Sequence, residues 1–207
     1  MPKGWDGIVS RYINRRFSRP IARFFAENTG VSPNQMTVIS FLVGVLSGVS
    51  FLLFRPILGG ILAQLCSILD GVDGDLAIIT NRVTRFGGFL DSLLDRYGDS
   101  IILIGMTYYA YMREGYPTLS LLIGAAALAG SLLVSYSRAR AKSDLGVVFR
   151  SGISGYAANR DVRLFIVMIG GILNRVFITL LILALLTNFT VAVRLYNIVK
   201  VAGRAEE

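Results

Sequence analysis

Histidine is absent from the 207 residues and cysteine occurs once, at Cys66. The first absence removes the usual ligand sets for soft metals and the second excludes an intramolecular disulfide, so any metal held by this chain must bind oxygen. Charge is also scarce, at 16% of residues, against 54% hydrophobic and a mean hydropathy of +0.61. That balance excludes an ordinary soluble domain. The apolar residues come instead in runs long enough to cross a hydrocarbon layer, which needs about 20 residues per helix. The apolar core of a cleavable signal peptide is missing, since the first thirty residues carry Lys3, Arg11, Arg15, Arg16, Arg19 and Arg23, and the N-terminus is expected to be retained. The net charge of +8 fits anionic headgroups and positive-inside loops better than nucleic acid, so membrane lipids are the expected partner and nucleic acid is not.

Uncharged apolar stretches predict six spans, near 36–54, 57–80, 87–112, 117–137, 160–174 and 176–198. The loops between them alternate in charge as a correct division requires. One side collects the N-terminal basic residues, Arg82 and Arg85, then Arg138, Arg140, Lys142, Arg150, Arg160 and Arg163, then Arg194, Lys200 and Arg204; the other has Arg55, Arg113 and Arg175. The expected fold is therefore an all-α integral membrane protein with six transmembrane helices in residues 36–200 and a polar tail at 201–207. Both termini and the basic loops are expected on the cytoplasmic side of the cell membrane. Residues 1–35 precede the first span as an interfacial segment, with Ile8, Tyr12, Ile13, Phe17, Ile21, Phe24 and Phe25 at roughly helical spacing between arginines, the pattern of an amphipathic helix lying on a membrane. Pro20 is expected to kink or break it.

Acids lie where they are expensive. Asp70 and Asp73 end the second span, and Asp91 and Asp95 open the third. A charge at membrane depth costs about 2.5–3.5 kcal/mol on insertion scales, so four in adjacent helices need a function or a partner. Spacings of three and four put each pair on one face of its helix. A short loop joins the two helices, so the pairs can converge into one cluster, which would repel itself without cations. An all-oxygen set suits Mg²⁺, Mn²⁺ or Ca²⁺. Gly74, Ala77 and Gly87 leave space beside the acids, whereas Gly59-Gly60 and Gly170-Gly171 read as close helix packing.

The complete arrangement is Asp70-x-x-Asp73-Gly74-x-x-Ala77, then Gly87-x-x-x-Asp91-x-x-x-Asp95. It resembles the signature of the CDP-alcohol phosphotransferase family, and the six spans after an interfacial helix resemble that family's architecture. The resemblance implies that Asp70, Asp73 and Asp91 ligate divalent metal, Mg²⁺ or Mn²⁺ and two ions at best fit. It implies that Asp91 and Asp95 are the catalytic acids, with Asp95 as general base sharing in metal binding. Asp70, Asp73, Gly74, Ala77 and Gly87 would face the cytidine nucleotide, together with Asn34 and Thr37 at the entry of the first span. The family pattern has an arginine after the alanine, where this sequence has Ile78; Arg82, one turn later, is the candidate replacement for its diphosphate contact.

The activity so implied is transfer of a substituted phosphate from a CDP-alcohol donor to an acceptor hydroxyl, with CMP leaving. Arginine and lysine suit a phosphate on the acceptor, and Arg138, Arg140, Lys142, Arg150, Arg160 and Arg163 are the candidates, although the positive-inside rule alone also places basic residues there. Within the family, Trp5 to Arg11, Pro33-Asn34-Gln35 and Arg160 to Phe165 are similar to archaeal di-myo-inositol phosphate phosphate synthases. That similarity implies CDP-inositol and inositol 1-phosphate as substrates, a homodimer, and a soluble cytidylyltransferase as separate partner or fused domain. A phospholipid synthase using a CDP-linked lipid is the alternative within the family. A divalent-cation transporter is the alternative outside it, because acids in spans also build ion pathways.

Overall fold

The computed structural model describes residues 9–149 and 158–203, with side chains through residue 200. Arg150, the stretch from Trp5 to Ile8 and the side chains of the 201–207 tail lie outside the described residues. Within them the chain is helical, with no strand: α1 (Arg15–Asn28), α2 (Pro33–Leu52), α3 (Pro56–Ile79), α4 (Arg85–Arg113), α5 (Pro117–Leu145), α6 (Arg160–Ile172) and α7 (Val176–Gly203). A π-helical turn at Ser10–Asn14 leads into α1.

Local chemistry sets these boundaries. Pro33, Pro56 and Pro117 stand at the first positions of α2, α3 and α5, where a missing N–H costs nothing. Ser32 and Gln35 form a reciprocal capping box, Gln35 N donating to Ser32 Oγ at 3.3 Å and Ser32 N to Gln35 Oε1 at 2.8 Å, so α2 begins three residues before the predicted span. Gly146 ends α5 at φ 63°, a left-handed cap that glycine takes without strain. The Glu114 carboxylate accepts from Val176 N and Phe177 N at 2.9 and 2.7 Å, capping α7 from the end of α4.

Among the described residues four helices, α2, α3, α5 and Val176–Lys200 of α7, are long and apolar enough to cross a membrane. The predicted third and fifth spans fall outside that class for different reasons. Helix α4 carries Asp91, Asp95, Arg96 and Asp99 in its first half, and α6 has 13 residues. Side-chain distribution agrees with lipid around the bundle: Leu42, Leu46, Ile57, Ile61, Leu122, Ile182 and Leu185 face outward, while Ser40, Ser47, Gln64, Ser67, Thr179 and Thr187 are buried. Small and hydroxyl side chains inside and large apolar ones outside is how helices pack when lipid supplies no hydrophobic drive. Ser47 Oγ donating to Gly59 O at 2.7 Å joins α2 to α3 in this way.

Pro20 does not break α1. The helix is held to α3 before the proline by hydrogen bonds and an ion pair, Asn14 Nδ2 donating to Ser67 Oγ at 2.9 Å, Gln64 Nε2 to Asn14 Oδ1 at 2.8 Å, Ser18 Oγ to Asp75 at 3.0 Å and Arg15 pairing with Asp75, and after it by the buried Ala22 packing with Val72 and Leu76. Tertiary anchoring outweighs one lost backbone bond.

Helix α2 packs against both α3 and α4, which touch each other little. The acid-bearing helices therefore splay around α2 instead of lying side by side, and the approach of α4 to α2 fixes their geometry. A Cβ on Gly105 of α4 would fall on the Gly48 carbonyl oxygen and within 3.2 Å of Gly48 Cα. Gly105→Ala is expected to destabilise the protein by about 1–3 kcal/mol through overpacking, read as a lowered thermal midpoint in detergent; an unchanged midpoint would show that α2 and α4 do not meet this closely. Gly60 and Gly171 pack likewise, their backbones meeting between α3 and α6.

Candidate active site

Three helix N-termini converge at the acidic end of the bundle. Helix α2 brings Asn34 and Thr37, α4 brings Gly87 behind its Thr84 cap (Gly87 N to Thr84 Oγ1, 3.0 Å), and α6 opens with Arg160 after Asn159. Free N–H groups and helix dipoles make such ends favourable for phosphate.

Carboxylate oxygens of Asp70 from α3 and of Asp91 and Asp95 from α4 lie within 4.8 Å of one another. Asp73 stands beside this trio rather than in it, because Thr37 Oγ1 donates to its Oδ2 at 2.6 Å and holds it toward α2. One Asp91 oxygen is buried with no hydrogen-bond partner. A buried orphan carboxylate oxygen beside two further carboxylates fits a hard divalent cation, since all the donors are oxygens. Arg160 approaches the same acids: its Nη1 is 3.0 Å from Asp70 and 2.9 Å from Asp95, and its Nε donates to Asp99 at 3.0 Å.

Two clefts flank the cluster, with α4 between them. The smaller, about 160 Å³, lies among α2, α3 and α4 and is lined by Asn34, Thr37, Asp73, Gly74, Ala77, Arg82, Gly87 and Asp91. Seven of the eight residues expected at the nucleotide thus border one space, and Asp70 faces Arg160 behind it. Ile78 borders it too, with Arg82 one turn on. A Cβ on Gly74 would meet nothing within 4 Å, whereas one on Gly87 would stand 3.0 Å from Asn34 Oδ1 and Thr84 Oγ1; Gly74 leaves open space, and Gly87 is a contact between helix ends.

The larger cleft, about 640 Å³, lies among α4, α5 and α6, with Ser92, Arg96, Arg138, Lys142, Arg160 and Arg163 on its walls. Arg138 Nη2 donates to Asn159 Oδ1 at 2.5 Å. Arg163 is buried, donating to Asp99 Oδ2 at 2.5 Å and to Ala158 O at 2.8 Å. Arg140 is not brought to this cleft; it is exposed and pairs with Asp144 one turn away at 2.7 Å.

Sequence reasoning missed Arg96 and the role of Asp99. Arg96 borders the larger cleft and lies 3.2 Å from Asp95; its signal is a lone arginine within the row Asp91, Asp95 and Asp99. Asp99, one turn beyond Asp95, is the buried partner of both Arg160 and Arg163.

A family model described as CDP-alcohol phosphatidyltransferase matches residues 30–201. The chain is 41% identical to a Thermococcus kodakarensis protein named bifunctional IPC transferase and DIPP synthase, over 94% of this chain and 45% of that protein. It is 37% identical to the archaetidylinositol phosphate synthase of Pyrococcus horikoshii, over 89% of this chain and 94% of that one. The chain thus spans about half the length of the bifunctional relatives it matches. Among solved structures, the fold resembles Mycobacterium tuberculosis phosphatidylinositol phosphate synthase with CDP-DAG bound (TM-score 0.74, 24% identity, 87% of this chain and 92% of that one) and the same protein in complex with manganese and citrate (TM-score 0.71, 23% identity, 87% and 88%). The family match covers the acidic cluster and both clefts, and the chain belongs to the CDP-alcohol phosphatidyltransferase family.

Proposed function

We propose that the protein transfers a substituted phosphate from a CDP-alcohol bound in the smaller cleft to the hydroxyl of an acceptor bound in the larger one, releasing CMP. The observation that carries this reading is the pair of clefts divided by one carboxylate cluster, because an in-line displacement needs its attacking and leaving groups on opposite sides of phosphorus. Asn34, Thr37, Asp73, Gly74, Ala77, Gly87 and Arg82 receive the nucleotide, with Arg82 on its diphosphate in place of the family arginine. Asp95 takes the acceptor's proton and Asp91 shapes the shared wall. Asp70, Asp73, Asp91 and Asp95 would hold Mg²⁺ or Mn²⁺, two ions by charge balance, which when bound neutralise the diphosphate and stabilise the leaving phosphate.

The names of the bifunctional relatives and the basic larger cleft support CDP-inositol and an inositol phosphate as substrates. The Pyrococcus relative, matched over nearly its whole length, supports the second reading, a CDP-linked lipid donor. Arg138, Lys142, Arg160 and Arg163 suit an acceptor phosphate in either case, while Arg140 stands away from the cleft and Arg150 outside the described residues. The proposal includes six spans, with α4 and α6 crossing inside the bundle, the α1 segment at the interface, and both termini and the site facing the cytoplasm. The uneven distribution of basic residues supports that orientation. A homodimer and a cytidylyltransferase, separate or fused, belong to it as well.

The test is CMP release by purified protein in lipid with Mg²⁺ and a panel of CDP-alcohols and acceptors. Release with CDP-inositol and inositol phosphate, abolished by EDTA and restored by Mn²⁺, is expected. Release only with a CDP-linked lipid would select the second reading, and silence with every pair, accompanied by Mn²⁺ flux through proteoliposomes, would replace both with transport.

A further inference from the structure

Arg160 belongs to two places at once. Its guanidinium sits 3.0 Å from Asp70, 2.9 Å from Asp95 and 3.0 Å from Asp99, and it also forms part of the wall of the larger cleft. Its contacts differ in kind. Nε donates a directed hydrogen bond to Asp99, but Nη1, though close to two carboxylates, is aligned with neither for a hydrogen bond. Toward Asp70 and Asp95, Nη1 therefore acts as a positive charge rather than as a fitted donor, while Nη2 donates to Cys66 Sγ at 3.4 Å; a contact made by charge alone is one that another cation can take over. Asp99 does not depend on it, having its own bond from Arg163 at 2.5 Å.

Charge balance gives the consequence. Asp70, Asp73, Asp91 and Asp95 supply four negative charges, which two divalent ions would neutralise, leaving Asp99 as the one carboxylate shared by Arg160 and Arg163. Buried guanidinium charge in excess of its counter-charge draws an anion, and the cleft that both arginines border is the basic one.

We propose that Arg160 couples the carboxylate cluster to the larger cleft: it is the internal counter-ion of Asp70 and Asp95 when no metal is bound, and metal loading turns it toward an anionic group in the cleft. Metal and acceptor then bind with positive linkage, each tightening the other by the same factor. Arg160 is in this sense a positioning residue. The inference rests on the metal-dependent reading above and adds to it a reciprocal link between the metal and acceptor sites.

The experiment is Mn²⁺ titration of the purified full chain in detergent, with free Mn²⁺ read by electron paramagnetic resonance so that complexation by added anion is accounted for. Inorganic phosphate serves as the anion probe. In the wild type, phosphate should tighten Mn²⁺ binding about tenfold, within the usual range of linked sites. R160Q should bind Mn²⁺ about tenfold tighter than wild type without phosphate and show no phosphate effect, while R160K, which keeps the charge, should retain it. An R160Q affinity equal to or weaker than wild type, or a phosphate effect that survives in R160Q, would overturn the proposal alone. Should R160Q fail to fold, absence of a phosphate effect in the wild type would overturn it equally. No saturable Mn²⁺ uptake by the wild type would sink the metal-dependent reading and the coupling together.

Discussion

Asp95→Asn is expected to lower CMP release by about 10²–10⁴-fold, the range for removal of a positioned general base, while the protein still purifies as a folded species. The substitution keeps the side chain's volume and removes its charge. Arg160 retains Asp70 and Asp99 as partners, so the helix contacts around the cluster survive. The loss should fall on kcat rather than on KM for the donor, because the cleft proposed for the donor is lined through Asp91 and not through Asp95. Asp75→Asn supplies the contrast. Asp75 lies on the same stretch of α3 but turns away to Arg15 and Ser18, so its substitution should leave CMP release within a few-fold of wild type. Comparable losses at positions 75 and 95 would mean that acids in this region serve the fold and not the chemistry.

Much of this arrangement is legible in the sequence because charge in an apolar stretch carries so strong a penalty. Acids at spacings of three and four, with small residues between them, identify both the helices and the faces that meet, and the four-acid pattern with its glycines points to the family that the comparisons give. Pairwise spacing could not foresee how α3 and α4 meet. A short loop makes them successive helices, yet α2 lies between them, and what permits this is the backbone contact of Gly48 with Gly105, two glycines 57 positions apart. Nor does spacing give the partners of single acids. Asp73 is held beside the trio by Thr37, and Asp99 gains two arginines from a helix some 60 residues later. The basic residues show the limit most clearly. The positive-inside rule makes Arg140 and Arg138 equivalent, and only the rotation of α5 separates them, turning Arg138 to the cleft and Arg140 to Asp144. Span number shows the same limit: six apolar stretches are read from the sequence, and among the described residues four helices are long and apolar enough to cross, α4 falling outside by its charges and α6 by its 13 residues.

Gly74→Leu is expected to weaken donor binding severely while leaving stability nearly unchanged. Most of the bundle's glycines make room for a neighbouring helix, and enlarging them should damage the fold, as at Gly105. Gly74 differs, because a Cβ there meets nothing within 4 Å and the residue lines the smaller cleft between Asp73 and Ala77. A leucine side chain would project into the space proposed for the nucleotide, beside Thr37 and Asp91, without pressing on any backbone. KM for the CDP-alcohol should rise by about 100-fold or more, equivalent to about 2.7 kcal/mol of lost binding, with the thermal midpoint within error of wild type and Mn²⁺ binding retained. Gly74→Ala, adding a single methyl group, should show a smaller shift in the same direction. A lowered midpoint with unaltered KM would identify Gly74 as a packing glycine and move the nucleotide out of this cleft. A raised KM at constant stability ties the cleft to the donor, and by exclusion gives the larger basic cleft across α4 to the acceptor.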